Sequence, residues 1–185
     1  EWNVQTGEVI FNERWAAMIG YRLEALAPLS IETWRAMAHG DDLLKSASLL
    51  RRHFVGEIDY YDCECRMRHK EGDWVWVHDR GRVMTWDAQG RPLMMFGTHA
   101  DITERKRAEH EREHLRLAIE QATETVVITD AEGTIEYANP AFEVASGYAR
   151  GEALGKNPRI LKSGEHDAAF YEQLWATLLA GQTWQ

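Results

Sequence analysis

One pattern of residues occurs twice in the chain, and the two copies are separated along the sequence by about the length of one small domain. Two ten-residue segments, Asn12–Tyr21 and Asn139–Tyr148, both begin with Asn and end in Gly-Tyr. A Glu-Ala-Leu triplet follows each copy, at Glu24–Leu26 and at Glu152–Leu154. This distance is too long for the stacked units of a solenoid and fits one small domain. The sequence therefore predicts two copies of one module in tandem.

The composition is that of a folded, acidic chain. Its 185 residues are enough for two small domains, and 44% hydrophobic and 10% aromatic residues argue against disorder. With 21 basic and 30 acidic residues, the net charge of −9 disfavours nucleic acid and anionic membrane as partners, because both require a cationic surface. The sequence has no apolar run long enough to span a bilayer. We therefore expect a cytoplasmic segment without membrane contact.

The first module changes from helical to strand spacing along its length. Trp2–Val4 and Val9–Phe11 predict a hairpin, and Asn12 predicts the N-cap of a short helix. Residues 23–54 have helical spacing in pieces, with an apolar stripe formed by Leu43, Leu44, Ala47 and Leu50. After Gly56, alternation predicts a half-buried strand followed by two hairpins, with Tyr61, Cys63, Cys65 and Met67 facing inward. We interpret both cysteines as reduced core residues of an α+β domain with an antiparallel sheet.

A charged helix is predicted between the two modules. We assign residues 1–103 to the first domain, 104–120 to the linker helix and 121–185 to the second domain. The helix carries an imperfect heptad seam formed by Ala108, Arg112, Leu115, Ile119 and Ala122. The pattern leaves two alternatives open, a solvated linker and a dimeric signalling helix.

The second module repeats the beginning of the first. Val126–Thr129 and Thr134–Tyr137 predict a hairpin, and Pro140 fits the first position of the helix after Asn139. A later apolar stripe, formed by Phe170, Leu174, Trp175 and Leu178, predicts another helix. Since the first module uses many more residues for its sheet, we expect the second fold to be truncated.

Both modules resemble PAS domains. In the first, the resemblance rests on Gly72–Val77, on the ending Gly97–Arg105 and on His39–Asp42, where Gly replaces the proline of the family signature. In the second, it rests on Ile128–Asp130, Tyr137–Asn139, Gly147–Tyr148 and Gly155–Leu161. The resemblance implies two PAS folds, each a five-stranded antiparallel sheet with helices packed on one face.

The stretch Gly155–Leu161 resembles the flavin-binding branch of the PAS family. Light-sensing LOV domains carry their adduct-forming cysteine where this chain has Pro158, so thiol photochemistry is excluded at this site. The remaining similarity is to redox-sensing flavin PAS domains. It implies that Asn157, Arg159, Leu161 and Trp175 bind FAD or FMN in the complete second module. The alternative is that Trp175 is a core residue of a module without a cofactor.

The linker helix contains two sequences that resemble catalytic motifs. His110–His114 matches the His-Glu-x-x-His pattern of zinc proteases, and its start is similar to the phosphoacceptor box of histidine kinases. The flanking residues Lys106, Arg107 and Arg116 oppose a dication, and a PAS module follows where a kinase would continue. We therefore expect neither a metal site nor an enzyme in this segment.

The resemblance implies a sensory input region of a bacterial-type signalling protein. Such a region senses a small ligand or redox state and relays it through the linker helix. The implied partners are a second copy, in a homodimer through the linker helix and PAS surfaces, and a downstream effector in the same chain. That effector is a histidine kinase or a cyclic-di-GMP (GGDEF/EAL) domain. The alternative is a ligand-free dimerisation or protein-interaction module.

Overall fold

The computed structural model describes residues 1–184 and divides the chain into two compact units. The boundary lies between His110 and Glu111, within a helix. In the part of the chain described, no helix combines the length and apolar character needed to cross a bilayer.

An antiparallel sheet organises the first unit. Its strands are β1 (Trp2–Asn3), β2 (Tyr61–Arg68), β3 (Trp74–Trp86) and β4 (Pro92–Asp101), arranged in the order β1-β4-β3-β2. The fifth strand expected at Val9–Phe11 is reduced to an isolated bridge between Trp2 and Val9. The α+β class and the antiparallel sheet are confirmed.

The first helix begins at its predicted cap, Asn12, and the two that follow begin after Ser30 and His39. They are α1 (Glu13–Met18), α2 (Ile31–Met37) and α3 (Gly40–Phe54), with a 3₁₀ turn at Leu23–Leu26. The side chain of Asn12 accepts a hydrogen bond of 2.9 Å from the Trp15 amide, as an N-cap does. The core between these helices and the sheet contains the four predicted inward residues of β2.

The predicted apolar stripe on α3 is wrong in part. Leu44 is 77% exposed, whereas the buried residues of this helix are Asp42, Ser46 and His53. The Nε2 atom of His53 accepts a 3.0 Å hydrogen bond from the Val83 amide, where β3 is irregular. The most buried positions of α3 are therefore polar residues with hydrogen-bond partners in the sheet. Leu43 and Leu50 of the predicted stripe are partly buried and pack against the core.

The helix α4 (Thr103–Glu120) follows β4 directly. None of its residues is buried, and Leu115 is 59% exposed. This exposure agrees with both alternatives for the linker, since a solvated helix and an unpaired seam look alike in one chain.

The second unit contains two strands and three helices in residues 121–184. They are β5 (Val127–Thr129), β6 (Ile135–Ala138), α5 (Pro140–Ser146), α6 (Arg150–Ala153) and α7 (Ala168–Leu179). The side chain of Asn139 is fully buried and bonds to the segment that precedes β5, accepting from the Val126 amide at 2.9 Å and donating to the Glu124 carbonyl at 2.8 Å. The repeated Asn therefore caps a helix in both units, but here it also anchors the chain that precedes the hairpin.

Candidate functional site

The first unit contains a cavity of about 960 Å³. It is lined by residues of all three helices and of the strands β2, β3 and β4. Its volume lies at the upper end of the range of roughly 300–1,000 Å³ that small-molecule sites occupy. Phe11 stacks on Trp15 in its wall, with ring centroids 3.7 Å apart. The cavity therefore has the size and the aromatic wall of a site for a small organic molecule.

A pair of glycines lies on the wall of this cavity. Gly81 of β3 and Gly97 of β4 lie opposite each other in the sheet. A Cβ atom on Gly81 would lie 2.6 Å from Met95 Cε, and one on Gly97 would lie 2.7 Å from the Arg80 carbonyl oxygen. Since neither position has a side chain, the two strands and the Met95 side chain approach each other closely at this point of the cavity wall.

A chain of polar groups crosses the same wall. The Ser46 hydroxyl lies 2.8 Å from the Tyr61 hydroxyl, which donates to Asp79 Oδ2 over 3.5 Å. On the other side, His99 Nε2 lies 3.3 Å from Asp79 Oδ1. Burial, followed by the charge of Asp79, raises the pKa of Tyr61, so the phenol stays protonated and remains a donor.

Three indole groups of this region keep unused hydrogen-bond donors. The Nε1 atoms of Trp2, Trp15 and Trp34 are buried, and none of them has a partner among residues 1–184. All three residues line the cavity. Buried donors without partners are unusual, because each one costs about 1–3 kcal/mol of desolvation.

The cavity strands connect directly to the linker helix. Asp101 lines the cavity at the end of β4 and accepts a 2.8 Å hydrogen bond from the Thr103 amide at the start of α4. Thr103 Oγ1 in turn accepts from the Trp76 amide of β3 at 3.0 Å. Glu64 of β2 forms ion pairs with Lys106, at 2.6 Å, and with Arg105. The hydrogen bonds from these two cations lower the pKa of Glu64 to about 2, so it is ionised at neutral pH.

The four residues predicted to bind flavin lie together in the second unit. They line a depression of about 180 Å³ beside α7, and Asn157 Oδ1 caps the 3₁₀ turn Pro158–Leu161 by accepting from the Arg159 amide. Asn157 and Trp175 also converge on Gly133. A Cβ atom there would lie 2.8 Å from the Asn157 amide nitrogen and 2.9 Å from the Trp175 ring. The depression is smaller than usual small-molecule sites, so their role in binding flavin stays a prediction.

The metal-like motif lies on α4. His110 and Glu111 are on either side of the boundary between the units. Within residues 1–184, no cluster of three or more His, Cys, Asp or Glu side chains is arranged to hold a metal ion.

Ser46, Asp79 and His99 are not among the site residues predicted from the sequence. A usable signal was present, because Asp79 is in phase with the inward residues Val77 and Val83 of its strand. A carboxylate at an inward position of a strand points to a polar site in the core.

The antiparallel sheet, its covering helices and the cavity lined by both define the first unit as an α+β domain with a binding-sized cavity. Family models described as the PAS fold match residues 8–99 and residues 113–185. The chain therefore belongs to the PAS family and contains two PAS domains in tandem.

Several known proteins are similar to parts of the chain. A nitrogen fixation regulatory protein of Klebsiella pneumoniae is 42% identical over 67 residues, which are 36% of this chain and 14% of that protein. Hybrid signal transduction histidine kinase A of Dictyostelium discoideum is 33% identical over 72 residues, 38% of this chain and 3% of that protein. The chain thus spans a small fraction of these relatives.

A solved structure matches a larger share. It is a sensory box histidine kinase/response regulator from Burkholderia thailandensis, 32% identical, with a TM-score of 0.53. The match covers 63% of this chain and 87% of that one. PAS sensory domains of this kind therefore occur in regulatory proteins and histidine kinases.

Proposed function

We propose that this chain is a sensory input segment in which the first PAS domain binds a small molecule and α4 transmits the change. The observation that supports this function is the direct connection from the cavity to the helix. Asp101 lines the cavity and also caps the start of α4. A ligand that alters β4 therefore acts on the residues that hold the first turn of α4.

The size of the response depends on how differently the ligand binds two states of the domain. A ligand with tenfold higher affinity for one state shifts the equilibrium by about 1.4 kcal/mol. The contacts at the start of α4 are ion pairs of Glu64 and single hydrogen bonds. Contacts of this kind contribute about 1 kcal/mol each, so a shift of this size is comparable to the contribution of one of them.

Cysteine crosslinking tests the relay and the homodimer that we propose for α4. Leu115→Cys lies on the heptad seam, and Leu117→Cys is the matched control off the seam on the same helix. We expect intermolecular disulfides with Leu115→Cys and few with Leu117→Cys. Equal yields at the two positions would contradict a dimer through this seam and favour the solvated linker.

A cavity-filling substitution tests the connection from the cavity to the helix. Leu50 lines the cavity on α3, whereas Leu44 on the same helix is exposed. Leu50→Trp is expected to change the crosslinking yield at Leu115 by at least about twofold, and Leu44→Trp to leave it unchanged. A yield that does not respond to Leu50→Trp would rule out the relay.

For the second domain, we propose that Asn157, Arg159, Leu161 and Trp175 contribute to a flavin site. Support comes from their position around one depression and from the resemblance of Gly155–Leu161 to flavin-binding PAS domains. A planar ring bound there would use Trp175 as an apolar surface and Asn157 as an amide partner. The test is an absorption spectrum of protein that contains the complete second module, recorded after incubation with FAD or FMN and removal of excess flavin. A flavin band that Asn157→Ala removes supports the site, and a flat spectrum refutes it.

We propose a histidine kinase as the effector. This choice follows from the sensory box histidine kinase/response regulator, the solved structure with 32% identity to this chain. The test is autophosphorylation from labelled ATP by the protein that contains this segment. Formation of cyclic-di-GMP instead of phosphohistidine would show that the effector is the other expected class, a cyclic-di-GMP (GGDEF/EAL) domain.

The alternative function is a ligand-free dimerisation module. The exposed Leu115 of α4 favours it, since an apolar side chain on a helix without buried residues is available for pairing. Sedimentation of the protein separates the two functions. A stable dimer whose crosslinking does not depend on the cavity supports assembly alone.

A further inference from the structure

We infer that the cavity of the first domain binds an organic cation, a substituted ammonium group on an apolar body, with Asp79 as its specificity determinant. This inference rests on the sensory function proposed above and adds the chemical class of the ligand. It follows from a carboxylate on the cavity wall that has no Lys or Arg partner, from the aromatic rings near it, and from the acidic balance of the lining residues.

Asp79 is a carboxylate without a permanent counter-charge. It lies opposite His99 in the register of β3 and β4, and its side chain is 14% exposed. Within residues 1–184, its ion-pair partner is His99, and no Lys or Arg side chain forms an ion pair with it. Its oxygens have neighbours at 3.3 Å, from His99, and at 3.5 Å, from Tyr61, whereas charge-assisted hydrogen bonds are usually about 2.7–2.9 Å long. A cationic group in the cavity would therefore supply the counter-charge that Lys and Arg do not.

His99 determines how much of this negative charge remains. A neutral imidazole can donate its Nε2–H to Asp79 without cancelling the charge, whereas a protonated imidazole cancels it. A bound cation and an imidazolium would compete for the same carboxylate. Binding of the cation is therefore expected to favour the neutral form of His99.

The other charged lining residues do not reverse the sign of the cavity. They are Glu1, Arg14 and Asp101, and all three are exposed. With Asp79, the lining has three acidic residues against one arginine, or against two basic residues when His99 is protonated. Acidic residues exceed basic ones in both states, which disfavours an anionic ligand.

Aromatic rings lie near the carboxylate. The ring centroids of Phe11 and Trp15 are 6.2 and 6.3 Å from that of His99, the residue next to Asp79. The buried Nε1 atoms of Trp15 and Trp34 do not face the cavity, so these residues offer a ligand ring carbons instead of N–H donors. Because the face of an aromatic ring is negative, it attracts an ammonium group within about 6 Å. Aromatic carbon and a carboxylate together form an environment that suits a substituted ammonium group.

The test compares two probes of the same shape on the intact chain by ligand-observed NMR. Phenyltrimethylammonium carries a permanent positive charge, and tert-butylbenzene is its uncharged isostere. We expect the cation to bind about tenfold more tightly, because it gains the attraction of Asp79 and of the rings while the apolar contacts stay the same.

Substitutions of Asp79 test its role as the specificity determinant. Asp79→Asn removes the charge at nearly constant shape and is expected to reduce the preference for the cation to less than about threefold. The control is Asp59→Asn, which removes an exposed carboxylate outside the cavity lining and should leave the preference unchanged.

His99 offers a second pair of matched variants. His99→Arg places a permanent cation beside Asp79 and is expected to remove the preference, whereas His99→Gln provides a donor without a charge. We expect the preference in His99→Gln to be about fivefold larger than in His99→Arg. Thermal melting shows whether each variant is folded, and this pair tests the inference if Asp79→Asn does not fold.

Equal binding of the two probes, or no binding of either, overturns the inference. So does an unchanged preference in a folded Asp79→Asn variant, or the same preference in folded His99→Arg and His99→Gln. These results concern the ligand class alone, because the response of α4 to Leu50→Trp tests the sensory function without any probe. Loss of that response with a normal preference for the cation would instead reject the relay and leave the site.

Discussion

The ion pair between Asp42 and Arg66 joins α3 to β2, and its removal provides the sharpest test of the polar packing in the first domain. Asp42 Oδ2 accepts from the Arg66 amide and from Nε, both at 2.8 Å, and Oδ1 accepts from Nη2 at 3.0 Å. Exposed pairs contribute about 0–1 kcal/mol, while breaking a buried pair costs about 3–5 kcal/mol. The Asp42 side chain is 11% exposed and that of Arg66 is 27%, so we expect Asp42→Asn to cost about 2 kcal/mol.

The same pair predicts a dependence of stability on pH. The hydrogen bond from Arg66 lowers the pKa of Asp42 below its ordinary value of 3.8. The unfolded chain therefore binds this proton at a higher pH than the folded chain does. The stabilisation is present above the unfolded pKa and is lost as the pH falls through the folded one. The difference between wild type and Asp42→Asn should accordingly shrink as the pH falls below 3.8.

Urea unfolding followed by tryptophan fluorescence measures this cost. Six of the eight tryptophans belong to the first unit, so the signal reports mainly on that unit. The neighbouring Asp41→Asn is the control, because Asp41 is 82% exposed and lies 3.7 Å from Arg66. Its expected cost is below about 0.5 kcal/mol. Equal costs for the two substitutions, or a cost for Asp42→Asn that does not change at acid pH, would refute this reasoning.

Three further predictions concern other positions. Gly97→Ala should destabilise the first domain by about 1–3 kcal/mol, because its Cβ would lie 2.7 Å from a carbonyl oxygen of the neighbouring strand. The control, Gly40→Ala, has open space around its Cβ and should be nearly neutral, and urea unfolding compares the stability of the two variants. Asn139→Ala should lower the free energy of unfolding by about 3 kcal/mol, because its side chain is fully buried with four hydrogen bonds. Asn12→Ala should lower it by about 1 kcal/mol, because Asn12 is an exposed cap, and hydrogen exchange in each unit measures the difference. Glu64→Gln should speed hydrogen exchange in the first turn of α4 at neutral pH. The exchange rate of the wild type should approach that of the variant as the pH falls from about 4.5 towards 2, because Glu64 gains a proton in this range. Equal exchange rates at neutral pH would show that the ion pairs do not stabilise the start of the helix.

Local features of the first domain could be predicted because they depend on neighbouring residues. The alternation from Tyr61 to Met67 identified the inward face of β2, and Asn12 identified the start of α1. Strand periodicity and helix caps are properties of a few consecutive residues, so the sequence is sufficient to recognise them.

The buried face of α3 could not be predicted in the same way. Helical spacing indicated a stripe that included Leu44, whereas the structure buries Ser46 and His53. Their partners, the Tyr61 hydroxyl and the Val83 amide, lie on strands distant in the sequence. A polar residue becomes a core residue only when the fold brings such a partner to it.

The two candidate sites differ in the same way, because one could be predicted from the sequence and the other could not. The stretch around Asn157 was recognised by its resemblance to other PAS domains, and the structure places Trp175 beside it. The site around Asp79 and His99 was not recognised, since these residues meet only through the register of β3 and β4.

The sequence by itself determined the tandem repeat, the PAS family, the antiparallel strands and the helix that follows them, because periodicity, turns and caps act over short stretches of chain. The tertiary structure decided which polar side chains are buried, which residues line the cavity of the first domain, and which indole donors are buried without an acceptor among residues 1–184. Those features depend on strand register and on helix–sheet packing between residues far apart in the chain, which no local pattern specifies.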